Sequence, residues 1–167
     1  MSEYYRIRKW VSFVTMQMVS VALLTGCATN SGYVDHEFSF DARSDSPGVV
    51  ILDYAYGNSG VLPTNAEMNI NQFGGSPQWN AVRGNIPLGD SLYVKWRLDS
   101  TGKEYWDKVD LKPLLPRNMT AMRIYFVVRE AQLYVYLTDL KVVRPPLSPI
   151  VGPFRTQLYL TKQIYPL

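Results

Sequence analysis

Between residues 92 and 98 the chain alternates without exception. Leu92, Val94, Trp96 and Leu98 are apolar, while Tyr93, Lys95 and Arg97 carry polar ends. A period of two belongs to a β-strand with one buried and one wetted face, and a helix would scatter these positions around its axis. The constraint recurs at 123–129 and 132–137, which Glu130 and Ala131 join into a hairpin. There Ile124, Phe126, Val128, Leu133, Val135 and Leu137 supply one face, opposite Tyr125, Tyr134 and Tyr136. Asp99-Ser100-Thr101-Gly102-Lys103 has the glycine that a hairpin needs for positive φ, and 104–111 reads as the returning strand.

Further strands are read at 38–42, 49–56, 67–71 and 155–165. The last sets Leu158, Leu160 and Ile164 against Tyr159 and Tyr165. Gly57-Asn58-Ser59-Gly60 closes the second of these with a turn. Residues 72–90, with four glycines and two prolines, read as a long loop. Residues 112–118 form a proline-bounded loop, and the four prolines of 142–153 exclude a central strand there. No amphipathic helix of useful length is expected in this region. About seven short antiparallel strands predict an all-β fold, a β-sandwich of the immunoglobulin-like kind, with a small open barrel as the alternative.

The amino-terminal end is of another kind. Arg6, Arg8 and Lys9 precede an uncharged run from Trp10 to Leu24, and Leu24-Thr25-Gly26 leads into Cys27, the one cysteine of the chain. A basic start, a short apolar run and small residues describe a secretory signal helix, and the run is short for a membrane span. Leu-Thr-Gly-Cys resembles the lipobox of bacterial lipoproteins. That resemblance implies a diacylglycerol on the Cys27 thiol, cleavage just before it, and an acylated new terminus. Residues 1–26 are then signal peptide, 27–37 the lipidated cysteine with a short tether, and 38–167 the sandwich domain. Ala28 and Thr29 offer no aspartate as an inner-membrane retention signal. The expected location is the outer membrane, lipid-anchored and facing the periplasm.

Cleavage changes the charge balance. Of 17 basic and 14 acidic residues, Arg6, Arg8, Lys9 and Glu3 leave with the signal, so the remaining 141 residues carry a net charge near +1. That is no footprint for nucleic acid. With Cys27 lipidated no thiol remains for a disulfide or a cysteine-ligated metal.

Catalytic constellations are poorly supplied. The only histidine, His36, falls in the tether beside Asp35 and Glu37, where it reads as a solvated linker residue. Asp35, Glu37, Asp41 and Asp45 lack the spacing and glycine of a calcium loop and read as a solvated charge run. Asp107 and Asp110, three apart on a strand, point to opposite faces, which argues against paired-carboxylate chemistry. Gly74-Gly75 runs into Ser76-Pro77 rather than into a phosphate-binding lysine and helix. No enzyme activity, metal or cofactor is expected.

The outward residues of the alternating strands are tyrosines and cations, the types that dominate protein-binding surfaces. Tyr93, Lys95, Arg97, Arg117, Tyr134 and Tyr136 are the candidate partner-binding residues. The competing possibility is that both sheets are covered outside, one of them by the proline-rich 142–153.

The stretches Leu52-Asp53-Tyr54-Ala55-Tyr56-Gly57, Pro87-Leu88-Gly89-Asp90-Ser91-Leu92-Tyr93-Val94-Lys95-Trp96-Arg97, Leu115-Pro116-Arg117-Asn118-Met119, Leu133-Tyr134-Val135-Tyr136-Leu137 and Ile164-Tyr165-Pro166 resemble a family of small proteobacterial lipoproteins. Some of its members resemble immunity proteins for type VI secretion effectors with phospholipase activity. The resemblance implies a protein without catalytic activity whose partner is a phospholipase-type effector, the effector's cleft being covered by loops such as 57–64, 72–90 and 112–119. The alternative is a structural or assembly lipoprotein of the envelope or the secretion machine.

Overall fold

The computed structural model describes residues 32–57, 64–75 and 77–167. The signal at 1–26, Cys27, residues 28–31 of the expected tether and the turn at 58–60 lie outside the described residues. Eight strands make two sheets: β1 (Tyr33–Asp41), β2 (Val49–Tyr56), β3 (Trp79–Pro87), β4 (Ser91–Leu98), β5 (Glu104–Asp110), β6 (Met122–Arg129), β7 (Gln132–Val143) and β8 (Tyr159–Tyr165). The five-stranded sheet runs β3-β1-β6-β7-β8 and the three-stranded sheet β2-β4-β5. They face each other over one core, so the all-β, two-sheet expectation holds.

Phe38–Tyr56 and Phe40–Tyr54 contacts join the layers, while the Phe40–Phe126 stack lies within the five-stranded sheet. Phe38 of β1 lies on Tyr56 of β2 with ring centroids 4.6 Å apart, and Phe40 lies on Phe126 at 4.3 Å and edge-on to Tyr54. Trp96 is buried, and its indole N–H donates to the Glu130 carbonyl at 2.8 Å, pinning β4 to the β6–β7 turn. Each such side chain removed from water contributes roughly 1.5–3 kcal/mol. The alternation at 92–98, 123–129 and 132–137 is the pattern that fills this core.

The structure corrects several expectations. β1 begins at Tyr33, inside the stretch read as tether, because Val34, His36 and Phe38 share its inward face. β1 pairs β6 in parallel, Glu37 through Ser39 against Arg123 through Tyr125, so the sandwich is not purely antiparallel. β3 lies within the expected loop 72–90. It is an edge strand, where Gly84 at φ 136° is tolerated, and Asn80, Val82, Ile86 and Pro87 are its buried residues. The strand read at 67–71 is a helix, Ala66–Phe73. The Asn65 side chain accepts the Met68 N–H at 2.8 Å at its start, and the Gly74 N–H closes on the Ile70 carbonyl. A single helical turn, Ala42–Asp45, and a 3-10 turn, Phe154–Thr156, complete the elements. β8 starts only at Tyr159, and register shifts against β7 leave Leu158 and Leu160 exposed while Thr161 and Ile164 are buried. No helix of the described residues is long and apolar enough to cross a membrane.

Candidate functional site

The outward face of the three-stranded sheet is a cross-strand lattice of aromatic and charged groups. Tyr93 stands opposite Ala55 and Lys108, Lys95 opposite Asp53 and Trp106, and Arg97 opposite Val50 and Glu104. Strict alternation on β4 and β5 turns all of them away from the core. Lys95 Nζ reaches Glu104 at 2.8 Å. That hydrogen bond holds the lysine above its ordinary pKa and the glutamate below its own. Both groups are open to solvent, so the pair orients side chains more than it stabilises the fold. Trp106 is 68% exposed, beside Tyr93 at a ring separation of 6.5 Å. A tryptophan so exposed on a rigid strand, bordered by Lys95, Arg97 and Lys108, has the composition of an interface anchor with a polar rim. Sequence reading left Trp106 out. Its alternation with Tyr105 and Val109 is the signal that marks it as outward.

The other named tyrosines are elsewhere. Tyr125 and Tyr136, read as outward, do leave the core side of their sheet, but both are buried there. With Val127 they form a second small cluster under Val151 of the proline-rich segment. Coverage by that segment therefore describes the five-stranded sheet, and exposure describes the three-stranded one. Tyr134 is half-buried with the Arg129 guanidinium 5.7 Å from its ring. Arg117 is exposed on the loop after β5, outside the paired strands. Of the six candidates, Tyr93, Lys95 and Arg97 share one surface, and Tyr134, Tyr136 and Arg117 do not join it.

Of the acidic run, Asp35 is exposed, but Glu37, Asp41 and Asp45 are not solvated charges. The Arg123 fork grips Glu37 at 2.8 and 3.2 Å, and the Ser39 hydroxyl donates to the same carboxylate at 3.0 Å. Arg43 and Arg155 both pair with buried Asp41, at 2.9 and 2.7 Å, and hold its carboxyl below the usual range. The Tyr125 hydroxyl donates to Asp45 at 2.6 Å. Each of these carboxylates answers a cation or hydroxyl brought from far along the chain. Among the described residues no group of three or more histidine, cysteine, aspartate or glutamate side chains could hold a metal. A cavity of about 410 Å³ opens between this outer face of β1 and β6 and the 144–158 segment, lined by Glu37, Arg123, Arg144, Phe154 and Leu158 among others.

His36 is no linker residue either. It is 1% exposed, on the inward face of β1. Its Nδ1 lies 2.8 Å from the Val34 carbonyl and its Nε2 2.8 Å from the Tyr56 hydroxyl. The neutral tautomer with Nδ1–H donating, and Nε2 accepting from Tyr56, satisfies both contacts. Burial is the main cause that lowers its pKa, as it is the main cause that raises that of Tyr56. With both nitrogens engaged inside the core, His36 acts as a structural group. Asp107 and Asp110 diverge as expected: Asp107 accepts from Tyr165 on the inner side, and Asp110 faces outward and accepts the Lys112 N–H.

The site and fold thus define a two-sheet β-sandwich with one open, aromatic-cationic sheet face. Comparison with protein-family models, with curated proteins and with solved structures found no match.

Proposed function

We propose that this protein is a lipid-anchored binding protein of the outer membrane, facing the periplasm. The open face of β2-β4-β5 meets a protein partner, and the partner is a phospholipase-type effector of type VI secretion, which it blocks as an immunity protein. The observation that carries the binding role is the exposed Trp106 set among Tyr93, Lys95 and Arg97 on a rigid sheet. The lipobox at Leu24-Thr25-Gly26-Cys27 and the family resemblance support the location and the partner class. The cations steer an acidic partner and the aromatics supply contact area. On this reading the protein performs no reaction, and the sandwich is of the immunoglobulin-like kind, supported by its two sheets of short strands.

The test is co-purification of the chain with the effector, together with protection of cells that make the effector in their periplasm. We expect both, and we expect Trp106→Ala to weaken the complex by about tenfold or more. Absence of both binding and protection overturns the proposal. Lost secretion after gene deletion would then favour the assembly role.

A further inference from the structure

The last 28 residues, 140–167, carry Lys141, Arg144, Arg155 and Lys162 and no acidic residue. The same stretch holds eight of the twelve large apolar side chains that stand exposed among the described residues, including Leu147 at 99%, Leu158 at 73% and Val143 at 72%. Several of these meet at one end of the five-stranded sheet. The Arg144 N–H donates to the Leu158 carbonyl, its guanidinium donates to the carbonyls of Gln157 and Ser148, and Val143 pairs Tyr159. Val143, Leu147 and Leu158 are thereby gathered around a guanidinium that only carbonyl dipoles answer. Neither Lys141 nor Arg144 pairs with a carboxylate among the described residues.

Strand direction says which end this is. β1 and β6 are parallel, and β7 is antiparallel to β6. The start of β1 at Tyr33, the end of β7 at Val143 and the start of β8 at Tyr159 therefore lie at one end of the sheet. Five residues separate Tyr33 from Cys27, and their six Cα steps reach at most about 20 Å. An apolar patch with unneutralised cations, at the sheet end that also carries Tyr33 and so leads within a few residues to a lipid attachment point, has the chemistry of an interfacial contact. Apolar side chains enter the headgroup region and cations meet phosphates.

We propose that this end of the domain, with Val143, Leu147 and Leu158 as apolar contacts and Lys141 and Arg144 as cations, docks onto an anionic phospholipid surface. The inference rests on lipidation at Cys27 for its geometry. Asp35 and Asp139 stand at the same end and limit the attraction. With several acyl chains on the cysteine, the contact adds orientation rather than retention.

The full chain, purified from membranes, is reconstituted into phosphatidylethanolamine–phosphatidylglycerol vesicles bearing a shallow nitroxide quencher. A small dye is placed by Leu147→Cys, Leu158→Cys or Thr101→Cys, the last on the hairpin at the opposite end. We expect quenching at 147 and 158 at least threefold that at 101, and loss of the contrast on Lys141→Gln with Arg144→Gln. All three dye sites are exposed, so circular dichroism should report an unchanged fold. Equal quenching at the three sites in a chain shown by palmitate labelling to be lipidated overturns the docking and leaves the anchor standing. If palmitate leaves the wild-type chain unlabelled, the anchor reading fails, and the same contrast in a Cys27→Ser chain still upholds the docking. Dye self-quenching between 158 positions, the mark of a second copy seated on the patch, also overturns it.

Discussion

His36 makes pH a reporter of the core. Its folded pKa lies below the 6.5 of the unfolded chain, so over that window the unfolded state binds more protons than the native one. Stability is therefore complete above about pH 6.5 and falls as the pH drops from there toward the lowered native value, by up to about 1.4 kcal/mol per pH unit. Urea midpoints between pH 8 and pH 5 should show this fall, and His36→Gln should flatten it. A slope unchanged in the variant would assign the dependence to other groups. The Tyr56 side of the same contact depends on a glycine. A methyl at Gly89 would stand 2.6 Å from the Tyr56 ring and 2.9 Å from the Gly57 nitrogen. Overpacking so close to backbone costs about 1–3 kcal/mol. Gly89→Ala is expected to lower the urea midpoint accordingly, while Gly102→Ala, with open space around it, is limited to the strain of its positive φ.

At the scale of elements, the Glu37–Arg123 pair fastens β1 to β6 across 86 positions of sequence. Both side chains are largely buried, so removing one leaves the other uncompensated. Arg123→Leu should cost about 3 kcal/mol, and Glu37→Leu added to it should recover part of that loss. A denaturation double-mutant cycle with additive losses would show the pair to be uncoupled. This pairing also explains what sequence could and could not reveal. β4 through β7 were legible because alternation and hairpin turns are local signals, and they gave the Tyr93, Lys95 and Arg97 face directly. The first half of β1, ahead of the strand read at 38–42, hid behind Asp35, His36 and Glu37, and the partners of the last two, Tyr56 and Arg123, come from distant segments. β3 hid behind two asparagines and Gly84. The 66–73 helix hid because Ile70 and its asparagines favour strands and turns over helices, and the Asn65 cap decided it. Tyr125 and Tyr136 alternate outward as read. Their burial is the work of the 144–158 segment, which no pattern in β6 or β7 announces.

The whole molecule has two unlike outer faces, and they should respond differently to truncation. Tyr136 is sealed beneath Val151 and Gly152, so Tyr136→Ala should destabilise by about 3 kcal/mol or more. Trp106→Ala, on the open face, should shift stability by at most about 0.5 kcal/mol. Thermal melts of the two variants check the contrast, and a large loss at Trp106 would mean that this face is packed rather than available. β1 lies between β3 and β6, bonded on both sides, with nine residue pairs to one neighbour. A load entering the domain through its amino-terminal end thus arrives at an interior strand rather than at a rim. Under the proposed anchoring, a pull along β1 would shear two ladders of hydrogen bonds at once instead of peeling one open.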